Sequence, residues 1–138
     1  MMGCSPMILN SERSMTCDDK YNERARILNK LLSDLWPKLQ SKFFGSKFIF
    51  TDAYKVLADI IASPNSYGIT NTRDSCCVTA GNGTRPCIPD IAPCNNRNEH
   101  AFFDPFHGSE TTHFILAKRC LKESSICNPI NMVEFLRA

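Results

Sequence analysis

Eight cysteines in 138 residues limit what this chain can fold into more than any other feature. They stand at Cys4, Cys17, Cys76, Cys77, Cys87, Cys94, Cys120 and Cys127. An even number in a small chain points to disulfides and to an oxidising compartment. The competing use of cysteine, a structural zinc site, wants close C-x-x-C pairs. None exists here. The tightest spacings are the adjacent Cys76 and Cys77, then six residues between Cys87 and Cys94 and six between Cys120 and Cys127. The pattern predicts cross-linking, with no metal and no cofactor.

A chain of this length makes one small domain, and a hydrophobic content of 43% is ordinary for a globular one. The net charge is +2 with both signs interspersed. That gives no basic stripe for nucleic acid and no acidic tail. No stretch approaches the roughly 18 apolar residues of a membrane span. The opening residues, MMGCSPMILNSERS, lack the charged-then-apolar layout of a signal peptide. This conflicts with the compartment read from the cysteines, and a true N-terminus lying further upstream would reconcile the two.

Over residues 18–43 the apolar positions Ile27, Leu28, Leu31, Leu32, Leu35, Trp36, Leu39 and Phe43 form a one-sided helical stripe. Thr16 or Asp18 can cap its start and Gly45 can end it. Pro37 removes a backbone hydrogen bond, at a cost of about 3 kcal/mol in a helix interior, so a kink or break is expected there. Residues 47–52, KFIFTD, hold the unbroken apolar run Phe48, Ile49 and Phe50, as in a strand buried on both faces of a parallel sheet. A second helix follows over 53–62, with Val56, Leu57, Ile60 and Ile61 inward and Pro64 as its stop. Residues 67–99 read as a loop rich in Asn, Gly, Pro and Cys. It is too long to be structureless in a compact domain, and four of the cysteines explain how it is held. Asn82-Gly83-Thr84 within it is an N-glycosylation acceptor triplet, usable only in a secreted chain and common by chance. Residues 109–121 read as a third helix, with Ser109 as its cap and Ile115, Leu116 and Leu121 as a modest apolar face. The tail PINMVEFLRA packs back as a short segment.

The order is helix, strand, helix, stapled loop, helix, the alternation of an α/β fold with a parallel sheet. Only one strand is convincing. A lone parallel strand cannot satisfy its own backbone N–H and C=O groups, so its neighbours must come from elsewhere.

The chemistry concentrates in FFDPFHGSE, residues 102–110, where Asp104 and His107 stand three apart before a helix. A neutral imidazole takes a proton from a hydroxyl nucleophile near pH 7. A carboxylate on its other ring nitrogen fixes the tautomer and stabilises the imidazolium. Pro105 stiffens the turn between them. By spacing alone D-x-x-H is a weak signal, and an Asp capping a helix beside a half-buried His is the plainer alternative. His100, in a polar loop, and His113, on a helix among Thr residues, read as surface residues. Asp52, at a strand end, is either a site residue or the cap of the next helix, and the cap is favoured.

Five blocks in order resemble a known family, the plant-type GDSL esterase/lipases of the SGNH hydrolase superfamily. MMGCSPMILN resembles the family's G-x-x-P-x-G-C-x-P segment, and CDDKYNERARILNKLL its C-x-x-x-x-N helix start. KFIFTDAYKVLADIIASPNSYGI resembles the strand, D-x-Y, helix, N-P-x-x-Y-G-F stretch. DSCCVTAGNGTRPC resembles its A-C-C-G loop, and AFFDPFHGSETTH its final F-W-D-x-x-H-P-T-E block, with Phe103, Gly108 and Ser109 in place of the usual Trp, Pro and Thr. The resemblance implies that Asp104 and His107 are the triad Asp and His, with His107 as base and Asp104 as its orienter. It implies that residues 1–138 are the C-terminal portion of one SGNH/GDSL hydrolase domain, part of a flavodoxin-like three-layer α/β sheet with a disulfide-stapled loop. The family's nucleophile lies in a G-D-S block that this sequence lacks, as it lacks the Gly and Asn blocks of the oxyanion hole.

The activity implied is hydrolysis of ester or lipid substrates through a Ser-His-Asp triad, with the chain inactive alone for want of the serine. The alternative is a non-catalytic secreted binding or decoy protein. A cysteine-rich secreted protein unrelated to hydrolysis fits the five blocks least. An extracellular or secretory location is implied, with a missing N-terminal half as partner and no nucleic acid or membrane span. The expected bridges are Cys4–Cys17, two among Cys76, Cys77, Cys87 and Cys94, and a fourth between Cys120 and Cys127.

Overall fold

Asp18 opens the longest element of the computed structural model, which describes residues 1–137. Its carboxylate accepts from Lys20 N at 2.8 Å and caps a helix over Asp19–Lys42, so Asp18 and not Thr16 is the N-cap. This is the second helix of the chain. A short helix α1, Pro6–Ser11, precedes it with Pro6 in its first turn, and Asp19–Lys42 is α2. The Cys4–Cys17 bridge ties the segment before α1 to the start of α2. Gly3 N donates to the buried Asn22 Oδ1 at 3.0 Å, and Asp18 N donates to Gly3 O at 2.9 Å. A side chain at position 3 would collide with the Asp18 carbonyl, so this joint requires glycine.

One expectation for α2 is narrowed and one is corrected. The helix runs through Pro37 without a break. Ser33, whose carbonyl loses its donor to the proline, is exposed, so water can satisfy that carbonyl. The apolar stripe does not face a core: Ile27, Leu28, Leu31, Leu32 and Leu35 are exposed, Leu31 at 61%. Polar contacts hold α2 to the rest instead. Arg26 Nη1 donates to Tyr54 Oη at 3.0 Å, and Asn29 Nδ2 donates to Asp52 at 3.2 Å.

The KFIFTD run is also corrected. Only β1, Phe50–Thr51, is a strand, half-buried to exposed, and it pairs antiparallel with β4, Cys127–Asn128. No parallel neighbour is available to it among the described residues, so the apolar run has nothing to sandwich it. Helix α3, Ala53–Ala62, follows, with Asp52 as its cap accepting from Lys55 N at 3.0 Å and Pro64 just beyond its end.

The stapled segment contains a strand that the composition hides. Asn71–Ser75, β2, pairs in parallel with β3, His100–Phe102, with the register shifting between Asn71 and Ser75. Parallel strands usually need a helical crossover. Here the crossover is the loop between them, held by Cys76–Cys94 and Cys77–Cys87. The expectation of a single strand therefore fails: among the described residues there are four short ones, in two separate two-stranded sheets. His100, expected at the surface, is buried in β3, with Nδ1 3.3 Å from Asp74 O.

Helix α4, Glu110–Lys122, packs over β3, and α5, Met132–Arg137, folds back against α4. The Cys120–Cys127 bridge joins α4 to β4. Val56, Ile60, Ile69, Ala101, Phe102 and Ile126 form the buried core between α3, β3 and α4, with Ile115 and Leu116 against it. Leu121, expected inward, is exposed. The whole is a mixed helix-and-strand fold with four disulfides, and it places the end of β3 and the start of α4 side by side.

Candidate active site

The candidate site is the turn between β3 and α4, and both flanks fix it. At its entrance, Cys76 N and Cys77 N donate to Phe102 O and Phe103 O at 3.2 and 2.9 Å, so the stapled loop braces the strand end. At its exit, Ser109 N donates to Ala101 O at 2.9 Å and Thr112 Oγ1 donates to the same carbonyl at 2.7 Å. Ser109 Oγ accepts from Thr112 N at 3.2 Å and caps α4, as its sequence position predicts. Pro105 is buried, and its carbonyl accepts from Met7 N of α1 at 3.1 Å.

Within this frame Asp104 does two jobs. Its Oδ1 accepts from the backbone N–H groups of Phe106 and His107, at 2.8 and 2.7 Å, which closes the turn. Its Oδ2 lies 2.8 Å from His107 Nδ1. The two residues expected to work together are thus brought together. Asp104 is mostly buried, its side chain 20% exposed, whereas the His107 ring is 75% exposed. Burial pushes the Asp104 carboxyl up, but the bonds from the His107 ring and from the two backbone N–H groups outweigh it and hold the carboxyl below its ordinary value. An ionised carboxylate facing Nδ1 accepts a proton-bearing Nδ1–H, which leaves Nε2 of the neutral ring as an open acceptor toward solvent. Such an arrangement is able to take up a proton at Nε2.

The turn borders an open cleft of about 550 Å³, lined by Arg97, Phe103, Asp104, His107, Glu110 and His113, among others. Arg97 and Glu110 are cleft residues that sequence reasoning missed, and His113, expected at the surface, is exposed and lines the same cleft. The available signal was position: Glu110 ends the FFDPFHGSE stretch and His113 follows it, both in the first turn of α4, so they share its opening. Ser109 also borders the cleft but is 2% exposed and committed to capping α4. Among the described residues no group of three or more His, Cys, Asp or Glu side chains could hold a metal ion, and no helix is long and apolar enough to cross a membrane. Asp52 is a helix cap, as favoured.

An Asp–His pair at a strand end beside an open cleft is chemically able to move a proton. The sequence profile of the GDSL-like Lipase/Acylhydrolase family matches residues 1–120. GDSL esterase/lipase At4g18970 of Arabidopsis thaliana is 37% identical over 127 residues, 90% of this chain and 35% of its own length. GDSL esterase/lipase At1g29660 of the same plant is 37% identical over 136 residues, 95% of this chain and 37% of its own. The chain therefore belongs to the GDSL-like lipase/acylhydrolase family. It spans little more than a third of the length of these relatives. No solved structure matches it.

Proposed function

We propose that this chain carries the acid–base half of a serine-type ester hydrolase, with His107 as general base and Asp104 as its orienter. The observation that supports it best is the 2.8 Å contact of Asp104 Oδ2 with His107 Nδ1, beneath an exposed imidazole at the mouth of a cleft. In the reaction, His107 Nε2 takes the proton of a serine hydroxyl as that oxygen attacks the ester carbonyl. The imidazolium then returns the proton to the leaving alcohol, and water repeats the cycle on the acyl-enzyme. Asp104 stays ionised throughout and stabilises the imidazolium. Acyl esters, lipid esters among them, are the substrate class, and the secretory route is the location.

The serine belongs to a segment outside these 138 residues. No G-D-S occurs in the sequence, and the cleft hydroxyl at Ser109 is buried and spent on a cap. Residues 1–138 thus act as the C-terminal portion of one hydrolase domain. The β2–β3 parallel pair is its share of a flavodoxin-like sheet. The commitment of Ser109 favours one second reading, a non-catalytic binding or decoy protein that keeps the stapled shell.

A fluorophosphonate probe separates the two. The 138-residue chain is compared with a chimera in which it replaces the matching segment of the Arabidopsis relative. The chimera labels at its G-D-S serine in a His107-dependent way, and the chain alone does not. A folded chimera that stays unlabelled points to the binding protein. His107-dependent labelling of the chain alone contradicts the placement of the nucleophile elsewhere.

A further inference from the structure

We propose that Asn82 is a glycan attachment site, carrying an oligosaccharide on its side-chain amide. Asn82-Gly83-Thr84 is the only N-x-S/T triplet in the chain, and the structure puts it where a glycan can stand. It lies on a turn, Gly81–Gly83, inside the loop closed by Cys77–Cys87. Asn82 is exposed and has φ 54° and ψ 41°, the left-handed region that asparagine enters more readily than most residues. Its neighbour fixes which way the turn is docked. Asn10 Nδ2 of α1 donates to Gly83 O at 3.4 Å, and any side chain at 83 would collide with that amide. The middle of the triplet is therefore pinned against α1 while Asn82 faces solvent. Asn82 does not line the cleft beside His107, so a glycan there leaves that opening free.

Attachment joins the Asn82 amide nitrogen to the anomeric carbon of a lipid-diphosphate-linked oligosaccharide. The bond from that carbon to the phosphate oxygen breaks, the lipid diphosphate leaves with the electron pair, and one amide proton is lost to base. No oxidant or reductant is involved. The compartment that supplies this donor is also the one in which disulfides form, and four are present here. The fold also sets the timing. Thr84 Oγ1, the hydroxyl that makes the triplet an acceptor, donates to Gly81 O at 2.6 Å once the turn is closed. Transfer therefore takes place on the chain before this turn and the Cys77–Cys87 loop close.

The test places a secretion leader ahead of Met1 in a eukaryotic host and examines all translocated chain, folded or not. Amidase removal of the glycan in heavy-oxygen water converts the modified asparagine to a labelled aspartate at position 82, with loss of one glycan-sized step in mass. Asn82→Gln and Thr84→Ala lose that step, and Thr84→Ser keeps it. Translocated chain with unmodified Asn82, or a glycan that persists in Asn82→Gln, overturns the proposal. An in vitro comparison tests the timing: reduced, unfolded chain is an acceptor, and the folded, disulfide-bonded chain is not. Equal transfer to both overturns the order of events.

Discussion

Asp104 gives the site its direction. Burial raises its carboxyl and the three hydrogen bonds lower it further than burial raises it, so the folded-state value lies below the ordinary carboxylate value of about 3.9. For a depressed carboxylate the stability is present above the unfolded value and is lost as pH falls through the folded one. The turn should therefore hold at neutral pH and loosen only in acid. A carboxyl carbon titration of Asp104 by NMR checks this, and a midpoint at or above about 3.9 contradicts it. Function gives a second residue-scale expectation. Asp104→Asn keeps an oxygen for the two backbone N–H groups, so the turn survives, but the amide N–H₂ facing Nδ1 favours the wrong ring tautomer. In a labelling-competent chimera it should cut turnover by about 10⁴-fold with little effect on KM. His107→Ala should abolish turnover. An Asp104→Asn variant at full activity would mean that Asp104 only closes the turn.

Among the elements, the braces matter more than the strands. Strands of two to five residues in two-stranded sheets are not self-supporting. The crossover between β2 and β3 is instead held by Cys76–Cys94 and Cys77–Cys87, each closing a loop worth about 3 kcal/mol in the chain-entropy model. Peptide mapping without reduction should recover these two pairs together with Cys4–Cys17 and Cys120–Cys127. Mild reduction should open residues 76–94 to a broad-specificity protease before α3 or α4 is cut. Simultaneous cutting everywhere would show that the staples do not act locally. The same elements show what a sequence can disclose. Helices α2 and α3 and the caps at Asp52 and Ser109 were legible, because period and capping chemistry are local. The Asp104–His107 pair was legible because both partners sit on one turn. Strand β2 was not: Asn-Thr-Arg-Asp-Ser has no apolar alternation, and its partner strand lies beyond a long stapled crossover. His100 misled for the same reason, since its burial comes from a strand partner 29 residues away in sequence, Asn71.

On the scale of the whole molecule, the exposed face of α2 decides how the chain behaves in solution. Ile27, Leu28, Leu31, Leu32 and Leu35 form one stripe, and polar contacts from Arg26 and Asn29 hold the helix from its other side. A contiguous apolar patch on an otherwise mixed surface drives association, and short open-edged sheets add to it. The core that opposes this is small: among the described residues twelve apolar side chains are buried, six of them in one packed cluster. The 138-residue chain in isolation should therefore self-associate and melt over a broad range, even with all four disulfides formed. Changing Leu28, Leu31 and Leu35 together to Gln removes apolar surface from solvent contact and deletes nothing from the core. It should lower the association measured by sedimentation while helix content by circular dichroism stays the same. The sign of that result separates two physical situations. If the stripe is only exposed, polar residues relieve association at no structural cost. If it is packed in solution against something the chain itself provides, the same substitutions cost helix content. A monomeric wild-type chain with a sharp two-state transition would show that the small core suffices and that the stripe does not govern the molecule.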